Sequence, residues 1–212
     1  TEHHRQAYSW PAGINTDMAL VLNPEQSMLQ QSARDFLNRQ VPVKHLRSLR
    51  DTGGNKGFSP AVWADMSALG WPAIAVPEEY DGLGFGFTGL GVVLQETGRT
   101  LTPCPLLSCA MMAAAVIVRA GNEAQKRDLL PGIASGKTIA TLAFDEHAQH
   151  RPGRVATTAK RTVDGFCING HKRFVLDGVL SDQLIVSTLT DETAPDREGI
   201  SLFVVPATAG GI

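Results

Sequence analysis

Residues 131–146, PGIASGKTIATLAFDE, hold the change of period on which the fold turns. Before this stretch the chain carries helix caps and apolar residues three or four apart. From about Lys137 onward, Ile139, Thr141 and Ala143 alternate with their neighbours, which is the spacing of a strand face. A helical block followed by a strand block, with no alternation of the two, is α+β segregation.

Working back toward the start, the helix signals are explicit. Asn23 precedes Pro24 and has Gln26 three residues on, a capping box that opens a helix through Leu29, Ala33, Phe36 and Leu37 and that Pro42 ends. Ser59-Pro60 opens a second, with Val62, Met66 and Leu69 as its buried stripe and Gly70 as its stop. A third runs from Thr88 through Val92, Val93 and Glu96 to Gly98, and a fourth from Pro105 to Ala120, closed by Gly121. Asn122 and Gln125 form another capping box, starting a short fifth helix that Pro131 is expected to interrupt.

Working forward, Phe166 and Ile168 alternate, as do Phe174 and Leu176, and Asp164-Gly165 and Asn169-Gly170 give turn signals between runs. Further strands are expected at residues 184–189 and 200–205. The expectation is therefore an all-α N-terminal helical domain over residues 20–136, then an antiparallel β domain over residues 137–212 that is incomplete at the C-terminus. Residues 1–19 are expected to be a leader or disordered extension.

Composition narrows the function. Of 212 residues, 43% are hydrophobic, and 19 Lys+Arg oppose 21 Asp+Glu for a net charge of −2. No basic face argues for nucleic acid. The longest apolar run, residues 106–118, contains Ser108 and Cys109 and falls short of the roughly 20 residues of a membrane span. Three cysteines without a C-x-x-C pair support neither a disulfide framework nor a zinc knuckle and fit a reducing cytoplasm.

Two motifs invite chemistry and lack its context. Gly84-Phe85-Gly86-Phe87-Thr88-Gly89 fits a dinucleotide fingerprint, yet only a short apolar stretch precedes it and no acidic residue follows about 20 positions on. Loop glycines that permit tight turns are the better account. Asp145-Glu146-His147 with His150 lacks the i, i+4 histidine spacing of a helical zinc site, so a solvated loop is expected and no metal. There is neither a nucleophile elbow nor a phosphate loop. Pattern alone stops at an α+β protein.

Three stretches, in order, resemble the acyl-CoA dehydrogenase family: residues 69–84 (LGWPAIAVPEEYDGLG) with 95–99 (QETGR), residues 121–137 with their GNEAQK, LLP and SGK segments, and residues 164–172 (DGFCINGHK) followed by Asp177-Gly178 and Ser181-Asp182. Together they cover about residues 20–212. The resemblance implies an enzyme in which FAD removes two hydrogens from the Cα–Cβ bond of an acyl-CoA. It also implies an electron-transfer flavoprotein or similar acceptor and a homo- or hetero-oligomer when full length. The base that takes the α-proton is expected in a C-terminal domain missing from this chain.

Carried over by position, Leu142, Phe144, Asp145 and Glu146 fall on the strand end whose backbone meets the flavin pyrimidine, with Asp145 where the family has Thr. Phe174, Val175 and Leu176 fall on the second flavin segment, with Phe174 in place of Trp and Leu176 in place of Thr. Arg151 stands where a Ser would meet the pantetheine arm. Cys104, Ser108, Met111 and Met112 fall on the helix at the closed end of the acyl pocket, although helical spacing alone fits ordinary packing equally well. The substitutions at Asp145, Phe174 and Leu176 motivate an alternative, a non-catalytic subunit of a mixed dehydrogenase complex whose flavin site has decayed.

Overall fold

The structure is a computed structural model that describes residues 21–52, 57–163, 165–191 and 199–212. The extension expected at residues 1–19 and Asp164 of the Asp164-Gly165 turn lie outside these residues. The first helix, α1 (Pro24–Gln40), starts at the expected capping box. Asn23 Oδ1 accepts from the Gln26 N–H at 2.7 Å, while Gln26 Oε1 accepts from the Asn23 N–H at 3.1 Å. Pro42 then ends α1 but also begins α2 (Val43–Asp51), whose Leu46 and Leu49 are only half-buried.

Helix α3 (Pro60–Ala68) is capped by Ser59 and buries Trp63 and Met66. The LGWP stretch that follows folds into two short 3₁₀ turns, Trp71–Ala73 and Glu78–Tyr80, whose Trp71, Pro72, Ala73 and Tyr80 are buried. Gly82 is required here, because a Cβ would lie 1.9 Å from the Val76 carbonyl oxygen. Helix α4 (Gly86–Thr100) follows, and Gly84 before it and Gly86 at its first position take positive φ, so the apparent fingerprint is a tight turn running into a helix. The expected fourth helix is continuous but begins as a π-helix, Leu106–Ala113, and becomes α5 (Ala114–Ala120). Pro131 does not interrupt α6 (Glu123–Ala134). Its missing N–H removes one bond, but the Ser135 N–H reaches the Pro131 carbonyl at 3.0 Å, and Leu130, Ile133 and Ala134 bury the helix on both sides of it.

The sheet contains β1 (Ala140–Ala143), β2 (Thr158–Thr162), β3 (Gly165–Asn169), β4 (Gln183–Leu189) and β5 (Ile200–Pro206). It is mixed rather than purely antiparallel. Strands β2–β3 and β4–β5 pair antiparallel, but β4 runs parallel to β1 and to β2. Those parallel pairs join segments far apart in sequence, where no turn signal sets direction. Along one edge of β4, Gln183–Val186 face β1, and Leu189 faces the start of β2; β5 occupies the other edge. One strand thus replaces another on the same edge, and residues 144–157 leave the sheet at the changeover. The expected strand through Phe174 and Leu176 is absent: Phe174 has φ 51, and the backbone there bonds to the Asp145 carbonyl and to the Thr141 side chain of β1 rather than to a ladder.

Helices and sheet share one apolar cluster, in which Leu37, Met66, Leu90, Leu106, Leu130 and Ile133 meet Ile139, Ala140 and Ile185. Cys109 of the π-helix accepts the Ala140 N–H on Sγ at 3.4 Å, tying helix to β1. Among the described residues no helix is long and apolar enough to cross a membrane.

Charge fixes α1 against α4. Glu96 is 1% exposed, and its carboxylate accepts from Arg34 at 2.8 and 3.1 Å and from Arg99 at 2.9 Å. The Arg34 hydrogen bonds, opposed by burial and joined by Arg99, hold the Glu96 carboxyl below its ordinary value of 4.5. A depressed carboxyl pKa stabilises the fold above the unfolded value, and that contribution is lost as pH falls through the folded one. Glu96→Gln is therefore expected to lower unfolding free energy by about 2 kcal/mol at neutral pH in urea titrations. The deficit should shrink as the pH drops below the ordinary carboxyl range; a deficit that stays constant with pH would contradict the ion-pair role.

Candidate functional site

Two loops leave the sheet side by side. The first follows β1 and contains Phe144 and Asp145; the second follows β3 and contains Phe174, Val175 and Leu176. The Arg173 N–H donates to the Asp145 carbonyl at 2.8 Å, and the Thr141 hydroxyl donates to the Leu176 carbonyl at 2.6 Å. Segments about 30 residues apart in sequence are thereby fixed as neighbours.

A buried ion pair sits beneath them. Lys172 Nζ donates to Glu146 Oε1 at 2.6 Å and to Ser187 Oγ of β4 at 2.9 Å, with the Lys172 and Glu146 side chains only 8% and 5% exposed. Glu146 also accepts the Ala156 N–H at 2.6 Å and the Thr157 N–H at 3.0 Å. Burial by itself raises the Glu146 carboxyl, but the bonds from Lys172, Thr157 and Ala156 outweigh it and hold the group at about 2. The carboxylate thus joins the exit of β1, the entry to β2, the second loop and, through Lys172, β4.

Each residue singled out in the sequence can now be placed. Leu142 packs against the shared core, and Phe144 is half-buried with its ring edge-on to His150 at 5.8 Å. Asp145 turns Oδ2 toward His150 Nδ1 at 3.1 Å, while its Oδ1 is buried with no hydrogen-bond partner among the described residues. Phe174 is 76% exposed and Leu176 44%, with Val175 half-buried between them. Arg151 is exposed and donates to Gln149 Oε1 at 2.5 Å.

The helical candidates divide. Cys104 lines a cavity of about 430 Å³ with Phe58, Leu94, Leu107, Leu176 and Asp177. Ser108 is fully buried behind that wall and donates to Asp177 Oδ2 at 2.6 Å. Met111 packs on the core, and Met112 is half-buried; neither lines the cavity. Burial pushes the Cys104 thiol up to about 11, so it presents a neutral surface rather than a nucleophile.

Sequence reasoning left Lys172, Asp177 and Thr141 without roles. Lys172 and Asp177 lie in the family-like segments, but nothing in their spacing announces that one is buried or that the other reaches a helix some 70 residues earlier.

This combination, a helical block packed on a mixed sheet, is matched among known proteins. Residues 23–137 fit the family model described as acyl-CoA dehydrogenase, N-terminal domain. Mitochondrial isovaleryl-CoA dehydrogenase of Pongo abelii is 30% identical over 87% of this chain and 44% of its own length. An acyl-CoA dehydrogenase structure from Geobacillus kaustophilus superposes with a TM-score of 0.78 at 28% identity, covering 91% of this chain and 50% of that one. A variant of the Tcur3481-Tcur3483 steroid ACAD gives 0.77 at 30% identity, covering 88% and 49%. The chain belongs to the acyl-CoA dehydrogenase family, and it spans about half the length of the relatives it matches.

The ion pair makes an ordered prediction. Lys172→Met leaves a buried carboxylate that keeps two N–H donors, whereas Glu146→Leu leaves a buried ammonium and strands both N–H groups. Each should destabilise by about 3–5 kcal/mol, with Glu146→Leu the worse. Chemical denaturation measures the order, and equal costs below 1 kcal/mol, the range of an exposed pair, would refute the clamp.

Proposed function

We propose that this chain is the front part of an FAD-dependent acyl-CoA dehydrogenase, an oxidoreductase acting on the Cα–Cβ bond of an acyl-CoA thioester. The observation that carries the proposal is the 2.8 Å bond from the Arg173 N–H to the Asp145 carbonyl, which makes one surface of the two loops. FAD fits that surface in two respects. Phe174 offers an exposed aromatic face to a flat ring system. Asp145 Oδ1 is a buried acceptor without a donor, and the pyrimidine portion of an isoalloxazine carries an N–H.

Asp145 and Leu176 depart from the family's threonines, and the structure limits what the departures cost. The Asp145 carboxylate is partly diverted to His150, so its charge is not simply aimed at the ring edge. Leu176 supplies no hydroxyl, but its carbonyl is held by Thr141, which keeps the second loop in place.

FAD, when bound, supplies the acceptor for the hydride that leaves Cβ. The residues of this chain orient and enclose. Phe174, Val175 and Leu176 form the floor, and Leu107, Leu180 and the neutral Cys104 thiol line the adjoining cavity, where an acyl group is shielded from water. None of them is assigned as the base for the α-proton. An electron-transferring flavoprotein or comparable acceptor would take the electrons onward. The two-part name of the Tcur3481-Tcur3483 steroid ACAD supports an oligomer, homomeric or heteromeric. The dehydrogenase names of the relatives favour this reading over a non-catalytic partner subunit.

The purified full-length protein is expected to show a flavin absorbance band that an acyl-CoA bleaches under anaerobic conditions. Phe174→Ala should weaken FAD binding about tenfold, the usual cost of losing one ring-stacking partner. A protein that takes up no FAD, or a flavin band that no acyl-CoA bleaches, would contradict the proposal.

A further inference from the structure

The cavity beside the second loop has one feature that its apolar walls do not explain. Most of its lining is hydrocarbon, from Phe58, Leu94, Leu101, Leu107, Leu176 and Leu180, yet Asp177 stands among them. Among the described residues, the other oxygen-bearing side chains of the lining are already engaged. The Thr97 hydroxyl donates to the Leu94 carbonyl at 2.7 Å, and Thr102 bonds to Thr100 at 2.6 Å. Asp177 is only half engaged: Oδ2 accepts from Ser108, and Oδ1 has no hydrogen-bond partner among the described residues.

Its position is firmly set. Asp177 holds a left-handed conformation, φ 55 and ψ 22, at the start of the Gly178–Leu180 turn, whose Leu180 N–H returns to the Asp177 carbonyl at 2.9 Å. Asp is among the few residues other than glycine that take this conformation readily. Ser108, fully buried in the π-helix, holds one carboxylate oxygen from behind. The other has no hydrogen-bond partner among the described residues, and Asp177 itself lines the 430 Å³ cavity, a volume suited to an organic group of moderate size.

We propose that Asp177 makes this cavity select acyl thioesters whose acyl group carries a hydroxyl, over plain alkyl chains and over chains that end in a carboxylate. The inference rests on the acyl-thioester reading above. A hydroxyl donates to the open oxygen, while the rest of the chain lies on the leucine walls. An ammonium would make the same contact but would lose far more hydration in so apolar a space. A terminal carboxylate would face a like charge.

Calorimetric titration of the full-length protein with three coenzyme A thioesters of matched chain length tests the proposal: a plain fatty acyl, the same chain with a terminal hydroxyl, and the same chain with a terminal carboxylate, over a short series of lengths. At the fitting length the hydroxylated thioester is expected to bind about tenfold more tightly than the plain one, as a hydrogen bond to a charged group provides, with the carboxylate-ended thioester weakest. Asp177→Asn and Asp177→Gly both suit the left-handed backbone; in Asp177→Gly, which removes the acceptor, the ratio of hydroxylated to plain affinity should fall to within about twofold, and in Asp177→Asn, which keeps a neutral hydrogen-bonding amide, it should fall part of the way. Equal affinities at every length, or a ratio that Asp177→Gly leaves unchanged, would overturn the selectivity while leaving the acyl-CoA reading intact. If none of the thioesters binds, both fall together.

Discussion

The buried pair of Glu146 and Lys172 is the constraint on which the candidate site depends. Two ionised side chains placed out of water are tolerable only when their hydrogen-bonding capacity is met, and here it largely is. Glu146 receives Lys172 and two backbone N–H groups, and Lys172 also reaches Ser187. Because these partners come from separate parts of the chain, satisfying the charges requires the sheet edge and both loops to be in place at once. The loops that carry Phe144 and Phe174 are therefore extensions of a rigid clamp rather than independent surface segments.

The sheet supplies the opening that the clamp organises. Strand β4 changes partner along a single edge, from β1 at Val186 to β2 at Leu189, and the chain between those partners must swing away from the sheet. The helical block closes the far side. Cys109 bonds β1, and Ser108 bonds Asp177, so one short π-helical segment touches both the sheet and the second loop. A π-helix turns more residues per bond than an α-helix, and segments of this kind recur at functional sites.

Much of the scaffold could be read from the residues. Asn23, Ser59 and Asn122 each cap the helix that follows, and the period change at Lys137 marks the passage from helices to strands. What could not be read depended on contacts distant in sequence. The parallel pairing of β1 with β4 leaves no local signal, and the short α2, whose Val43, Leu46 and Leu49 do stand at helical spacing, is hidden behind the stop signal of Pro42. The alternation of Phe174 and Leu176 resembled a strand because exposed apolar residues in a loop can mimic that period. Their exposure, 76% and 44%, shows that the pattern reflected a surface left open rather than a face packed in a sheet. In the site, family likeness pointed to two backbone segments that lie beside each other in the structure, but the partners that hold them there, Lys172, Thr141 and Ser108, became visible only in three dimensions.

If the two loops form one seat for the isoalloxazine ring, they must respond to it as a unit. Hydrogen-exchange mass spectrometry of the protein with and without FAD tests this directly. Added FAD should slow exchange at residues 144–146 and 172–176 together, with β5 unchanged. Protection of neither loop, or of one without the other, would contradict the account.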